Sequence, residues 1–245
     1  MSSILIVHPD EKTSETLGSI LAKRGHRASS ASDGPRALAA FARLKPDIVI
    51  VNRHLPGTAS FQVFAEIRRV EPKAKVLVFD LVEGSGAAGR PEFGVRGLRP
   101  SEALRVVEEL RDGARRIGAD EAHAPRVLVV DDDAVVRTAL RRFLSDQGYL
   151  TVDASGGEEA LALLKRVRPH LVLLDIDMPE MGGVETLRRI RESDPAVGVM
   201  MVTADDEPET MALCRELGAY DYLVKPFDLQ YLEFSVYSKI LLMTV

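Results

Sequence analysis

Residues 169–179 read PHLVLLDIDMP, an apolar run that ends on Asp175. Residues 46–56 read PDIVIVNRHLP, with prolines at the same two places but with Asn52 where the other stretch has the aspartate. Short apolar runs rich in β-branched residues and closed by turn residues are typical of buried strands. The chain therefore contains one strand pattern twice, with a different residue at its carboxyl end.

The repetition extends along the chain with an offset of 123 residues, which indicates an internal duplication. The offset brings these pairs into register: Gly25 and Gly148, Gly34 and Gly157, Pro46 and Pro169, Pro56 and Pro179, Pro72 and Pro195. A chain of 245 residues has room for two domains of about 120 residues each. We predict domains at 1–117 and 126–245, joined by the polar linker GADEAHAP at 118–125.

The second copy alternates apolar runs with amphipathic stretches. The runs are RVLVV (126–130), LTVDA (150–154), HLVLL (170–174), VGVMMV (197–202) and YDYLV (220–224). This alternation predicts an α/β fold, in which helices cover both faces of a parallel sheet. Reactive groups in such sheets lie at the carboxyl ends of the strands, so the residues after each run are the candidates for function.

Composition excludes several classes of protein. Charged residues make up 28% of the chain and no stretch is long and apolar enough for a membrane span. The amino terminus lacks the pattern of a secretory signal, and the single Cys214 fits a reducing cytoplasm. Residues 1–125 carry 19 Lys+Arg against 16 Asp+Glu, too weak and scattered a positive balance to predict nucleic-acid binding.

Acidic residues follow two of the runs in the second copy. Asp131, Asp132 and Asp133 come directly after the first run, and Asp175 ends the third. Parallel strands would bring Asp131, Asp132 and Asp175 to one edge, where their mutual repulsion favours a hard divalent cation such as Mg²⁺. An aspartate can also act as a nucleophile toward phosphorus. Thr203 and Lys225, after the fourth and fifth runs, offer a hydroxyl donor and a positive charge for a phosphoryl group.

The motifs VLVVDDD, LVLLDIDMPEMGG, MMVTA and YDYLVKPF, in this order and spacing, closely resemble the receiver domains of bacterial two-component response regulators. The resemblance covers residues 126–245. It implies a flavodoxin-like (βα)5 fold in both copies, each a doubly wound, five-stranded parallel sheet of order 2-1-3-4-5.

The resemblance also implies a role for each matching residue. Asp175 would be the phosphoacceptor, and Asp131, Asp132, Asp175 and the backbone carbonyl of Asp177 would hold Mg²⁺ or Mn²⁺. Thr203 and Lys225 would bind the phosphoryl oxygens, and Tyr222 would be the aromatic switch that moves inward with Thr203. The peptide bond between Lys225 and Pro226 would be cis. Such a domain catalyses only its own phosphorylation and dephosphorylation and is otherwise not an enzyme.

Simpler roles remain open for some of these residues. We expect Asp133 to cap the helix that starts at Ala134. Tyr222 is also compatible with a half-buried strand aromatic. Asp177 and Asp205 would lie over the entrance to the site or be purely solvated. We expect Cys214 to be a small buried hydrophobic residue on a helix.

The first copy has lost this chemistry. In the register of 123, His8 and Pro9 replace Asp131 and Asp132, and Asn52 replaces Asp175. An amide is not a nucleophile for phosphoryl transfer, and proline offers no ligand. We therefore interpret residues 1–117 as a degenerate pseudo-receiver that is not phosphorylated.

Two further positions of the first copy have changed. Asp80 replaces Thr203, and Arg99 matches Lys225 once three residues are removed. An internal ion pair between Asp80 and Arg99, a new ligand site and unconnected drift remain open for them. The segment LVEGSGAAGRPEFG (81–94) has four glycines and a proline, so we predict that the fourth helix is short, displaced or absent.

The final helix is predicted at about 228–243, and the stretch LQYLEFSVYSKILLMTV (229–245) contains Glu233 and Lys239 as its only charged residues. Its segment ILLMTV would leave apolar surface, which favours self-association through the fourth and fifth helices of the second copy. Alternatively, the helix continues into a further domain of a longer protein.

These features favour a cytoplasmic response regulator without a DNA-binding output domain. A histidine kinase or phosphotransfer protein would phosphorylate Asp175, and the change would switch binding to a downstream protein partner. The first copy would serve as a docking or dimerising module. The alternatives are a phosphate sink or phosphorelay intermediate, and a mainly scaffolding protein.

Overall fold

The computed structural model describes residues 1–72, 74–79, 100–111, 124–204 and 207–243. These residues fall into two compact units that divide near residue 115. The predicted domain ends at 117 and 126 and the linker at 118–125 lie mostly outside the described residues and stay predictions.

The first unit contains a four-stranded parallel sheet of order β2-β1-β3-β4 within its described residues. Its strands are β1 (Ser3–Val7), β2 (Arg27–Ala31), β3 (Ile48–Asn52) and β4 (Lys75–Phe79). Its helices are α1 (Glu11–Lys23), α2 (Gly34–Leu44), α3 (Ser60–Val70) and α4 (Pro100–Arg111). The predicted fifth strand, the segment 81–94 and the residues Asp80 and Arg99 lie outside the described residues.

The second unit contains a five-stranded parallel sheet of order β6-β5-β7-β8-β9, which confirms the predicted order 2-1-3-4-5. Its strands are β5 (Arg126–Val130), β6 (Leu150–Ala154), β7 (Leu171–Asp175), β8 (Gly198–Thr203) and β9 (Asp221–Val224). Its helices are α5 (Ala134–Asp146), α6 (Gly157–Val167), α7 (Gly183–Ser193), α8 (Pro208–Glu216) and α9 (Leu229–Met243). The apolar runs thus predicted each strand to within one residue at either end.

The core of each unit lies against its central strand. All five residues of β3 and all five of β7 are buried, as expected for parallel strands with helices on both faces. The flanking helices turn an apolar stripe inward, as α5 does with Leu140 and Leu144. The Asp133 side chain accepts a hydrogen bond from the Val135 amide, which confirms the predicted cap of α5.

The last helix is more buried than its sequence suggested. Its described residues from Phe234 to Ser238 are all buried, and so is Ile240 at the start of the segment ILLMTV. The side chains of the next two leucines are outside the described part, so self-association through α8 and α9 stays a prediction. Among the helices in the described part of the chain, none has the length and apolar character needed to cross a bilayer.

Candidate phosphorylation and metal site

Three carboxylates meet at the carboxyl edge of the second sheet, as predicted. β5 and β7 are parallel neighbours in which Val130 pairs with Leu174, so Asp131 and Asp175 come next to each other at the strand ends. Carboxylate oxygens of Asp131, Asp132 and Asp175 lie within 4.8 Å of one another. Asp131 and Asp175 are 1% and 2% exposed, whereas the neighbouring Asp132 faces solvent. The cluster is thus open to water on one side.

Lys225 partly balances the charge of this cluster. Its ammonium Nζ lies 2.7 Å from Asp131 Oδ2 and 3.2 Å from Asp175 Oδ1. Lys225 follows β9 by one residue, and its peptide bond to Pro226 is cis, as expected. The cation therefore reaches the two buried carboxylates from a strand at the far edge of the sheet.

The balance is incomplete. Burial, followed by the charge of Asp131, raises the pKa of Asp175 from 3.8 to about 6, although Lys225 acts in the opposite direction. Burial by itself lowers the pKa of Lys225, but its hydrogen bond to Asp131 and the charge of Asp175 outweigh that effect and raise it. At neutral pH, one ammonium thus faces two buried carboxylates and a third beside them, which leaves excess negative charge at the edge.

This donor set fits Mg²⁺. The ion takes oxygen ligands, is usually held by one or two carboxylates and retains several waters. The buried oxygens of Asp131 and Asp175 and the solvated carboxylate of Asp132 meet these requirements. Asp177 is exposed two residues after Asp175, and the use of its carbonyl as a ligand stays a prediction, as does Mn²⁺ as the alternative metal.

Thr203 and Tyr222 flank the site on the two last strands. Thr203 ends β8 and is 2% exposed, and its carbonyl accepts a hydrogen bond of 2.7 Å from the Lys225 amide. Tyr222 is buried on β9, with its hydroxyl donating to the Met211 carbonyl of α8 at 2.6 Å. Cys214 is fully buried as expected, and burial is the main cause that raises the pKa of its thiol, while Tyr222 acts in the opposite direction. Burial is the main cause that raises the pKa of Tyr222. The ring thus lies inward, between β9 and α8.

Two supporting residues were missed from the sequence. A Cβ atom on Gly183 would lie 2.1 Å from the Asp175 carbonyl oxygen, so only glycine lets α7 begin this close to the end of β7. Arg137, on the first turn of α5, donates to the carbonyls of Asp131 and Asp132. A hydrophobic pattern carries no signal for contacts that are made to backbone atoms.

The corresponding edge of the first unit holds no acidic cluster among its described residues. His8 and Asn52 are buried after β1 and at the end of β3. His8 Nδ1 lies 3.0 Å from the Asp10 amide nitrogen, and Asn52 Nδ2 donates to the His54 carbonyl at 2.9 Å. Both side chains are therefore tied to their own loops. Asp80 and Arg99 are not among the described residues, so their ion pair is untested.

Comparison with known proteins places both halves of the chain in one family. The model of the response regulator receiver domain matches residues 4–85 and 127–236. Regulatory protein AtoC of Escherichia coli is 40% identical over 111 residues, which are 45% of this chain and 24% of that protein. Response regulator MprA of Mycolicibacterium vanbaalenii is 43% identical over 105 residues, or 43% of this chain and 46% of that protein. The chain thus spans less than half the length of these two relatives.

Solved structures include similar chains. A response regulator receiver protein from Pseudomonas putida is 38% identical, with a TM-score of 0.45, over 46% of this chain and 95% of that one. The CheX–CheY–BeF3–Mg complex from Borrelia burgdorferi contains a chain that is 32% identical, with a TM-score of 0.47, over 50% of this chain and 93% of that one. Because the family model matches most of its length in two segments, this chain belongs to the response regulator receiver domain family as a tandem receiver protein.

Proposed function

We propose that Asp175 is the phosphoacceptor of this chain and that Mg²⁺ binds beside it at Asp131 and Asp132. The observation that carries the proposal is the convergence of three carboxylates and one lysine at the end of β7. Bound Mg²⁺ would neutralise charge on the acids and on the phosphoryl group. The arrangement favours phosphoryl transfer over proton transfer, because the Lys225 ammonium is already in place to bind an anionic phosphoryl group.

The phosphoryl donor in this proposal is a histidine kinase or a phosphotransfer protein. A carboxylate oxygen of Asp175 attacks phosphorus, and the bond from phosphorus to the donor nitrogen breaks. Asp175 then carries an acyl phosphate, and the donor histidine recovers its nitrogen lone pair. Lys225 and the Thr203 hydroxyl lie at neighbouring strand ends, where they would hydrogen-bond the new phosphoryl oxygens.

Phosphorylation would change which partner the second unit binds. Movement of Thr203 toward the phosphoryl group would change the packing around Tyr222, and the surface of α8 and β9 would change with it. The first unit, which has Asn52 at the matching position, would act as a docking or dimerising module that is not phosphorylated. We expect the protein to act in the cytoplasm as a switch rather than as an enzyme on other substrates.

The test is labelling of the full chain by radioactive acetyl phosphate with Mg²⁺. Wild type should be labelled when Mg²⁺ is present and should not be labelled when EDTA removes the ion. Asp175→Ala should take up no label in either case. Asn52→Ala, the matched change in the first unit, should be labelled like wild type. Label that persists in Asp175→Ala would refute the assignment.

A further inference from the structure

Arg137 connects the acidic loop after β5 to the edge strand of the sheet. Its Nη1 donates to the Asp131 carbonyl at 2.7 Å and to the Asp132 carbonyl at 3.0 Å. Its Nε donates to Asp153 Oδ2 on β6 at 3.2 Å. The guanidinium side chain is only 16% exposed, so these contacts are partly shielded from water. One rigid side chain thus fixes two consecutive carbonyls of the loop.

These contacts bear on where the neighbouring carboxylates point. In an extended strand, consecutive side chains point to opposite faces, so Asp131 and Asp132 share one cluster only because the backbone turns after β5. Arg137 bonds both carbonyls in that turn, and the Asp133 amide donates to Asp131 Oδ1 at 2.8 Å. The loop conformation that presents both acids is therefore stabilised from behind.

Arg137 and Lys225 place positive charge differently. Lys225 bonds directly to the carboxylates of Asp131 and Asp175, where it competes with any other cation. Arg137 bonds to main-chain carbonyls, so its charge offsets the repulsion between the acids without using the oxygens that a metal needs. Its contacts can persist when a cation joins the carboxylates.

Asp153 holds the guanidinium in this orientation. It accepts from Arg137 through Oδ2 and from Arg141 through Oδ1, the second bond at 2.7 Å. Within the described part of the chain, Arg141 hydrogen-bonds Asp153 rather than the acidic loop, and its side chain is more exposed, at 45%. The two arginines share the same carboxylate, but Arg137 is the one that bonds the carbonyls of Asp131 and Asp132.

The first unit has lost this network together with its acids. In the register of 123, Ser14, Gly18 and Ser30 replace Arg137, Arg141 and Asp153. A groove of about 450 Å³ lined by these small residues lies there, between α1 and β2. The arginine network is therefore present in the unit with the acidic cluster and absent from the described residues of the unit without it.

We infer that Arg137 is a positioning residue for metal binding, which it promotes by holding the Asp131–Asp132 turn in the conformation that directs both carboxylates to one ion. The inference rests on the proposed function, since it assumes that the cluster binds Mg²⁺. Residues that orient metal ligands from outside typically change metal affinity by 10–100-fold when they are replaced.

The test measures Mg²⁺ affinity of the full chain by calorimetry and, in EDTA, both the thermal midpoint and amide hydrogen exchange of residues 131–133. Arg137→Ala should weaken Mg²⁺ binding about tenfold and speed exchange of the turn in metal-free protein. Arg141→Ala, the matched control, removes an equivalent bond to Asp153. It should change neither the Mg²⁺ affinity nor the exchange of the turn. Arg137→Lys should weaken binding by a smaller factor, because an ammonium lacks the fork that spans the loop and Asp153.

If Arg137→Ala binds Mg²⁺ as tightly as wild type, the inference is overturned. A lower thermal midpoint of that variant would not rescue it, because Arg137 would then contribute only to the stability of the fold. Equal loss of affinity in Arg141→Ala would overturn it too. If Arg137→Ala does not fold, Arg137→Lys decides by the same comparison. Wild type that binds no Mg²⁺ would refute the proposed function itself, a distinct result.

Discussion

The Lys225 ammonium lies 2.7 Å from Asp131 Oδ2, although the two residues are 94 positions apart in the chain. The bond joins the ends of β5 and β9, which are separated in the sheet by β7 and β8. It also engages a carboxylate that the proposed Mg²⁺ site would use. Lys225 and the metal would therefore compete for the same carboxylate in the absence of a phosphoryl group.

Replacement of Lys225 should separate metal binding from phosphorylation. In Lys225→Gln, Mg²⁺ should bind about tenfold more tightly, because a positive charge within a few ångströms of the ion is removed. Labelling by acetyl phosphate should nevertheless be slower, because no ammonium meets the phosphoryl oxygens. Calorimetry and initial labelling rates give the two results, with Lys165→Gln on the exposed face of α6 as control. Weaker Mg²⁺ binding in Lys225→Gln would contradict the competition.

Asp175 should make stability depend on pH in metal-free protein. Its pKa is raised to about 6, so the folded state binds the proton more tightly than the unfolded chain does. This contribution is fully present below pH 3.8 and is lost as the pH rises to about 6. Asp175→Asn should thus be more stable than wild type above pH 6, by roughly 2–3 kcal/mol, and the difference should shrink toward pH 4.

Urea denaturation in EDTA at several pH values measures this difference. The exposed Asp146→Asn should leave the pH profile of wild type unchanged. Addition of Mg²⁺ should stabilise wild type more than Asp175→Asn, because an amide is a poorer ligand for the ion. A constant stability difference from pH 4 to pH 8 would show that ionisation of Asp175 is not its source.

Gly183 should tolerate no side chain. The methyl group of Gly183→Ala would overlap the Asp175 carbonyl oxygen, so the start of α7 must move away from the end of β7, at a cost of about 1–3 kcal/mol. The neighbouring Gly182→Ala is the matched control, because its Cβ would lie 3.6 Å from the nearest atom, the Ile176 carbonyl oxygen. Equal stability of the two variants in denaturant titrations would mean that the contact is relieved without cost.

The first unit should not regain function by one substitution. Asn52→Asp restores a carboxylate at the end of β3, but His8 and Pro9 still stand where the second unit has two acids. In a background of Asp175→Ala, the Asn52→Asp protein should remain unlabelled by acetyl phosphate. Metal-dependent labelling of that double variant would show that the first unit retains a working site.

The strands and the acidic cluster could be predicted because both follow from simple patterns. Apolar runs mark buried strands, and parallel pairing carries the residues after them to one edge. The features that were missed depend on contacts between distant segments. Asp221 lies in a run that was treated as apolar, yet its carboxylate is 1% exposed and accepts hydrogen bonds from the hydroxyls of Tyr231 and Ser235 on α9. Periodicity does not show which polar residues of a strand find partners on a helix.

The inward ring of Tyr222 has a consequence for the only cysteine of the sequence. Its hydroxyl donates to the Met211 carbonyl and lies near the Cys214 thiol, and both ring and thiol are shielded from water. A conformation in which the ring moves out to solvent would leave the Met211 carbonyl without this hydrogen bond and would expose the Cys214 sulfur to water. The rate at which an alkylating reagent modifies Cys214 in the folded protein would then measure how often the Tyr222 ring leaves its buried position.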